Sequence, residues 1–393
     1  MQNKCSFKGK CGGCSFVAPY VEQLKYKQQY IYDVFRDKKI DEDVFEEIIA
    51  SPIVYEYRNK MEFSFGDSEK NGELRLGMHQ MKSFYNILDA CGCELIDDKS
   101  RKIVEITKNY FNNLHIPYYH KKTHKGYLRH LIIRKSFFED NLLVNLVTST
   151  DIDGFNEDEL LNGYINCIFD SIDKKYIKGI LHTKNDSFSD AVICDNLEIL
   201  YGVDYLYEKI LGLTFKISPF SFFQTNSKCA EILYSKIREY ALSNNKTNNL
   251  ILDLFCGTGT IAQFMSGYAN EVIGVEIIDD AVKDAILNAK INSINNIKFI
   301  SSDVNKVVND FKDKNIDLII LDPPRDGVNI KTLEKVVEFN AKSIVYVSCK
   351  IDSFIRDVDV FLSNNYKIRK ICPIDMFPHT KNIETVILMV KEG

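Results

Sequence analysis

The sequence has no apolar run longer than a strand. Its most hydrophobic stretches, such as IDLIILD, fall far short of the about 20 residues that a bilayer core requires, so no membrane span is expected. No apolar segment follows the basic residues of the opening MQNKCSFKGK, which argues against an export signal and for a cytoplasmic protein. Internal repeats and low-complexity linkers are also missing. The chain has no excess of positive charge either: 50 Lys and Arg stand against 55 Asp and Glu, a net −5. That excludes a generally basic nucleic-acid coat, although not a local basic face. What is present is an ordinary globular composition, 45% hydrophobic and 27% charged, over 393 residues, enough for two cores. Cysteine is the exception. There are eleven, an odd number that a reducing cytosol would not pair into disulfides, and three lie within CSFKGKCGGC at residues 5 to 14.

The stretch YVEQLKYKQQYIYDVFRDKK places Val21, Leu24, Ile31 and Phe35 at helical spacing, with Lys and Gln on the other side. This predicts an amphipathic helix over 19–38 that can pack on the second domain. Strand texture follows. KMEFSF and ELRLGMH flank a turn, and LIIRKSFF and NLLVNLVTS flank another. The first domain, 1–210, is therefore expected to be α+β. From about residue 250, LILDLF, EVIGVE, IKFIS, DLIILD and SIVYVSC alternate with helical segments, the pattern of a doubly wound α/β domain over 211–393. Two last strands, YKIRKI and TVILMV, read as a closing antiparallel hairpin.

Chemistry concentrates at the ends of those strands. In LDLFCGTGT, Gly257 and Gly259 allow close backbone approach, and Glu276 ends the next strand, placed to accept ribose hydroxyls. Because Gly257-x-Gly259-x-x-Ala262 also meets the loose dinucleotide pattern, NAD and S-adenosylmethionine both remain open on this loop alone. Asp322-Pro-Pro-Arg325 closes another strand in a rigid turn that offers carbonyls but few donors. Cys349 ends the strand after it. A lone cysteine is most often a small core residue, but a thiol here is the nucleophile that an unactivated pyrimidine carbon needs, adding at C6 so that C5 can attack a sulfonium methyl. Glu384 is the candidate base for the C5 proton, with His379 and Asp375 as rivals. Residues 115–135 carry Lys121, Lys122, Lys125, Arg129, Arg134 and Lys135 with histidines, tyrosines and no acid, either a solvated loop or a phosphate-contacting patch.

Taken in order, SFFQTNS, LDLFCGTGT, DPPRDG, YVSCK and DMFPHTKNIE resemble the RNA uracil-5-methyltransferase family, and YRNKMEF, LRHLIIR and the cysteine cluster extend the likeness over nearly the whole chain. The resemblance implies a Rossmann-like methyltransferase domain behind an α+β domain that binds RNA and an iron–sulfur group. It makes Cys349 the nucleophile and Glu384 the base. It places Gln224, Phe255, Gly257, Gly259, Glu276, Asp303 and Asp322 around S-adenosylmethionine, and Phe222, Arg129, Arg134 and Arg325 on the RNA side, with Phe222 stacking on the flipped uracil. Asn382 departs from the family, which usually has histidine there. Cys5-x5-Cys11-x2-Cys14 matches the family's iron–sulfur branch, with Cys93 preferred over Cys91 as the fourth ligand of a [4Fe–4S] cluster; four thiolates would suit zinc equally. That branch implies 23S ribosomal RNA as substrate; a monomeric enzyme is expected. The T-loop of transfer RNA, an iron–sulfur NAD-linked oxidoreductase and a non-catalytic RNA-binding protein are the alternatives.

Overall fold

The computed structural model describes residues 5–392 except 39, 70–71, 84, 153, 244–246 and 312–313. It comprises two compact units. One runs up to Val17 and includes Ile53–Glu208 and Lys216–Phe220; the other is Ala18–Pro52, Lys209–Phe215 and residues from Ser221 onward. Helix α1, Tyr20–Phe35, thus lies with the C-terminal half despite its place in the sequence.

The first unit is a seven-stranded sheet ordered β3-β2-β1-β4-β5-β6-β7, made of β1 Lys60–Gly66, β2 Arg75–His79, β3 Ile87–Asp89, β4 Leu128–Lys135, β5 Leu142–Thr148, β6 Ile177–Lys184 and β7 Asn196–Gly202. All neighbours are antiparallel except β5 and β6, which are joined by a crossover through α3, Glu157–Ser171. α3 and α2, Asp98–Asn113, cover the sheet through Ile103, Phe111, Leu160 and Tyr164. β4 and β5 are buried along nearly their whole length, polar residues included, because both of their faces are covered.

A ribbon of β8, Leu206–Ile210, and β9, Leu213–Ile217, precedes α4, Ser227–Ala241. The second unit's sheet is ordered β12-β11-β10-β13-β14-β16-β15. Its strands are β10 Asn248–Leu254, β11 Ala269–Glu276, β12 Ile297–Ser301, β13 Leu318–Leu321, β14 Ser343–Ser348, β15 Tyr366–Ile374 and β16 Glu384–Lys391. The first five are parallel, with α5 Thr260–Met265, α6 Asp279–Ile291, α7 Val304–Val307, α8 Ile330–Glu338 and α9 Ile351–Leu362 between or after them. β15 and β16 form the closing antiparallel pair, with β16 inserted beside β14. The order reverses between β10 and β13, and crevices for ligands open at such a switch point. Among the described residues, no helix is long and apolar enough to cross a membrane.

Helix α1 differs from its expected pattern. It buries Gln23, Lys27, Ile31 and Phe35, one residue per turn, and leaves Val21 exposed. Polar residues occupy the covered stripe because each has a buried partner.

Candidate active site

After β10 the chain turns sharply: Phe255, Gly257 and Gly259 have φ of 66°, 53° and 73°. Such angles suit glycine and strain phenylalanine. A Cβ on Gly259 would stand 2.6 Å from the Phe299 ring, while one on Gly257 would enter open space. One glycine therefore lets the turn pack, and the other keeps a cradle clear above it. Glu276 ends β11 with its carboxylate held at the mouth of this turn, accepting from the N–H groups of Gly257 (3.0 Å), Ile277 (2.9 Å) and Ile278 (3.0 Å). Asp303, beyond β12 at the same sheet edge, caps α7 by accepting from the Asn305 N–H at 2.8 Å. Gln224 is buried just before α4, and Phe222 is 67% exposed, with its carbonyl facing the Thr258 hydroxyl at 3.4 Å. An open cradle and an oriented acid fit the nucleoside end of S-adenosylmethionine.

Sequence reasoning missed Asp253. It is buried within β10, and neither carboxylate oxygen has a well-directed hydrogen bond. Burial, with Asp322 nearby, pushes its carboxyl well above the usual range, against the Ala262 amide. The signal was present as one acid inside the apolar run LILDLF.

The register of β14 on β16 pairs Ser348 with Thr385, which brings Cys349 and Glu384 to one sheet edge. Burial pushes the Cys349 thiol up to about 12, Glu384 and Asp322 add to the shift, and Arg325 opposes it. Burial and Asp322 likewise hold the Glu384 carboxyl well above its ordinary value, again against Arg325. Asp322 itself is raised by burial to about 7. Cys349, Glu384, Asp322 and Arg325 are thus one electrostatic group. In the resting state the thiol keeps its proton, and a single guanidinium favours the anionic forms of both groups, an arrangement suited to a nucleophile and a strong base.

Arg325 is itself held. Its Nη2 donates to Asn382 Oδ1 at 3.1 Å, so the residue that departs from the family acts as an acceptor for this cation. Helix α9 fixes the turn behind it: the Ser353 hydroxyl donates to the Arg325 carbonyl (2.8 Å), Arg356 Nη2 to the Asp326 carbonyl (2.9 Å), and Asp357 accepts from the Val328 N–H (2.9 Å).

The two rival bases are committed elsewhere. Asp375 forms a wholly buried ion pair with Lys27 at 2.6 Å, and Lys27 Nζ also donates to the Phe377 carbonyl at 3.2 Å. The His379 N–H donates to Gln23 Oε1 at 2.8 Å, and its Nδ1 lies 3.2 Å from Gln23 Nε2. Both side chains tie α1 to the loop that leads into Glu384.

In the first unit, Arg129 and Arg134 correct the expectation that they touch RNA. Both are buried, since β4 is covered on both faces. Arg129 donates to the carbonyls of Asn185 and Ser187 at 2.8 Å and Ser189 at 2.7 Å, and Arg134 to that of Pro219 at 2.9 Å. Cys5, Cys11, Cys14 and Cys93 lie within electrostatic reach of one another: Cys93, Cys11 and Cys5 all help raise the Cys14 thiol to about 12, after burial. Cys91 instead faces Asp89 and Lys108. Four converging thiols fit a tetrathiolate group by donor chemistry, yet as placed no three His, Cys, Asp or Glu among the described residues form a group that could hold a metal ion.

Comparison with known proteins agrees with this geometry. Residues 195–392 match the family model described as tRNA (Uracil-5-)-methyltransferase. An RNA methyltransferase of Clostridium tetani is 48% identical over 98% of this chain and 83% of its own length. One from Caldanaerobacter subterraneus is 44% identical over 100% and 85%. Among solved structures, the Pyrococcus abyssi tRNA (uracil-54, C5)-methyltransferase bound to S-adenosyl-L-homocysteine superposes with a TM-score of 0.76 at 26% identity, covering 95% of this chain and 84% of that one.

Proposed function

The chain belongs to the RNA uracil-5-methyltransferase family, which uses S-adenosylmethionine, and from that premise we propose that it methylates C5 of a uridine in 23S ribosomal RNA through a covalent Cys349 adduct. The observation that carries the mechanism is the meeting of Cys349, Glu384, Asp322 and Arg325 at one sheet edge beside the glycine cradle. S-adenosylmethionine supplies an electrophilic methyl group. Glu276 would hold its ribose beside the open cradle at Gly257, and Phe222 offers a stacking face to a uracil turned out of its RNA fold. The Cys349 thiol gives its proton to solvent as its sulfur bonds to C6, which drives electron density onto C5. C5 takes the methyl as the sulfonium's S–CH3 bond breaks to leave S-adenosylhomocysteine, and Glu384, as the carboxylate, accepts the C5 proton. The C6–S bond then breaks, restoring the C5–C6 double bond and releasing a thiolate that regains its proton from solvent. A base whose carboxyl is raised by burial accepts such a proton more readily than an ordinary glutamate. Arg325, held by Asn382, stabilises the anionic forms along this path.

The choice of 23S RNA rests on the four converging cysteines, which by resemblance mark the ribosomal branch. The Pyrococcus relative acts on transfer RNA, so the T-loop uridine is the second reading. Incubating the protein with methyl-labelled S-adenosylmethionine and either 23S RNA or tRNA, then mapping the modified nucleotide, decides between them. 5-Methyluridine in 23S RNA is expected; label in tRNA alone would overturn the substrate. The same cysteines are proposed to bind a [4Fe–4S] cluster in a structural role. Iron and sulfide analysis after anaerobic reconstitution should find both in wild type and Cys91→Ser but not in Cys93→Ser. Zinc without sulfide would contradict it. The enzyme is proposed to act as a cytoplasmic monomer.

A further inference from the structure

Buried Arg129 leaves the basic stretch without one of its expected RNA contacts, but it builds another. By donating to three successive alternate carbonyls, at Asn185, Ser187 and Ser189, its guanidinium pins the loop beyond β6 into one shape. Asn185 Nδ2 closes the loop on the Ala191 carbonyl at 2.9 Å. At the loop's tip is Phe188, 78% exposed, more than any other large hydrophobic residue described. A phenylalanine outside the core normally collapses onto apolar neighbours. This one meets the edge of the exposed His124 ring, centroids 4.7 Å apart at 67°. His124 is in turn fixed by the Tyr119 hydroxyl at 3.0 Å, and Tyr119 stacks over Arg129 at 4.1 Å. On the same run of residues, exposed Lys122 reaches over the ring of Tyr85, itself 52% exposed, at 4.7 Å. The nearby acid Asp190 is paired with Lys121 at 2.7 Å, and His79 Nε2 lies 3.3 Å from it.

We propose that this face of the first unit is a base-stacking platform for unpaired nucleotides of the RNA substrate. Phe188 and Tyr85 present aromatic faces to bases, and Lys122 meets the phosphates. Rigid, exposed rings flanked by cations are what single-stranded RNA requires, because every base has a π-face and every linkage a charge. The inference rests on the RNA reading above and adds where, outside the active site, the RNA is gripped.

The test compares a fluorescent oligouridine with an abasic ribose-phosphate oligomer of equal length, which carries the charge without the bases. Wild type should bind oligouridine more tightly, and Phe188→Ala should weaken that binding about tenfold while leaving the abasic oligomer and S-adenosylhomocysteine binding unchanged. Lys122→Gln should weaken both oligomers alike and flatten their salt dependence. If the Phe188→Ala Tyr85→Ala double variant kept the full preference for bases, or wild type showed none, the platform would be excluded, and this face would be left as a protein contact. Methyl transfer to 23S RNA by the same wild-type preparation separates the two readings: transfer without base preference sinks the platform alone, whereas neither transfer nor RNA binding sinks the RNA assignment as well.

Discussion

Arg129 and Arg134 in the first unit are as deeply buried as Glu384 and Asp253 in the second, and the four are treated very differently. Each arginine donates to backbone carbonyls, so its burial joins loops together. The acids are gathered instead with other acids, Asp253 and Glu384 each beside Asp322, and burial pushes their carboxyls upward, with Arg325 opposing this only at Glu384. Burying a charge with its partners builds a scaffold. Burying like charges together stores reactivity, because a group kept from its preferred ionisation state exchanges protons readily when substrate arrives.

The sharpest exception is Lys27–Asp375, a scaffold pair inside the catalytic unit. Lys27→Met leaves Asp375 buried without its cation and should cost about 3–5 kcal/mol, measured by urea unfolding. Lys27→Met with Asp375→Leu should recover most of that stability but still lower kcat, because Phe377 and the loop toward Glu384 lose their hydrogen bonds. Full activity in the double variant would deny the pair any positioning role.

In the first unit, Arg129→Met frees three carbonyls and should lower stability by about 2 kcal/mol, with affinity for S-adenosylhomocysteine unchanged. A change in cofactor affinity would show that the scaffold and the site are not separable as described.

The smallest effect has the opposite sign. Asp322 has a folded-state pKa of about 7, above that of an unfolded aspartate. Its contribution to stability is therefore complete at low pH and is lost as pH rises through 7. Asp322→Asn should gain about 1 kcal/mol over wild type at pH 8, discounted for partial exposure, and nothing at pH 4, while losing cofactor affinity. Thermal unfolding at the two pH values checks this. Equal stability at both would mean that the acid is not strained.

What could be read from the sequence follows the same division. The alternating strands and the strand-end residues Gly257, Glu276, Asp322 and Cys349 were legible because a parallel sheet delivers strand ends to one edge, and Glu384 reaches that edge because it begins an antiparallel strand. The partners of buried polar groups were not. Lys27 and Asp375 are separated by most of the chain, and nothing in a helical wheel shows that Gln23 and Lys27 face inward. Arg129 and Arg134 looked like surface residues because periodicity cannot reveal that β4 is covered on both faces. Phe188 was overlooked for the converse reason, since an aromatic in a loop looks like core until its exposure is seen.

The central claim is that the Cys349 thiol bonds to the uracil. RNA carrying 5-fluorouridine at the target position should trap the enzyme after methyl transfer, because the fluorine at C5 cannot leave as a proton does. Denaturing gels and peptide mass mapping should then find RNA linked to Cys349 in wild type and no linked species with Cys349→Ala. A link at another residue, or 5-methyluridine formed by Cys349→Ala, would contradict the account.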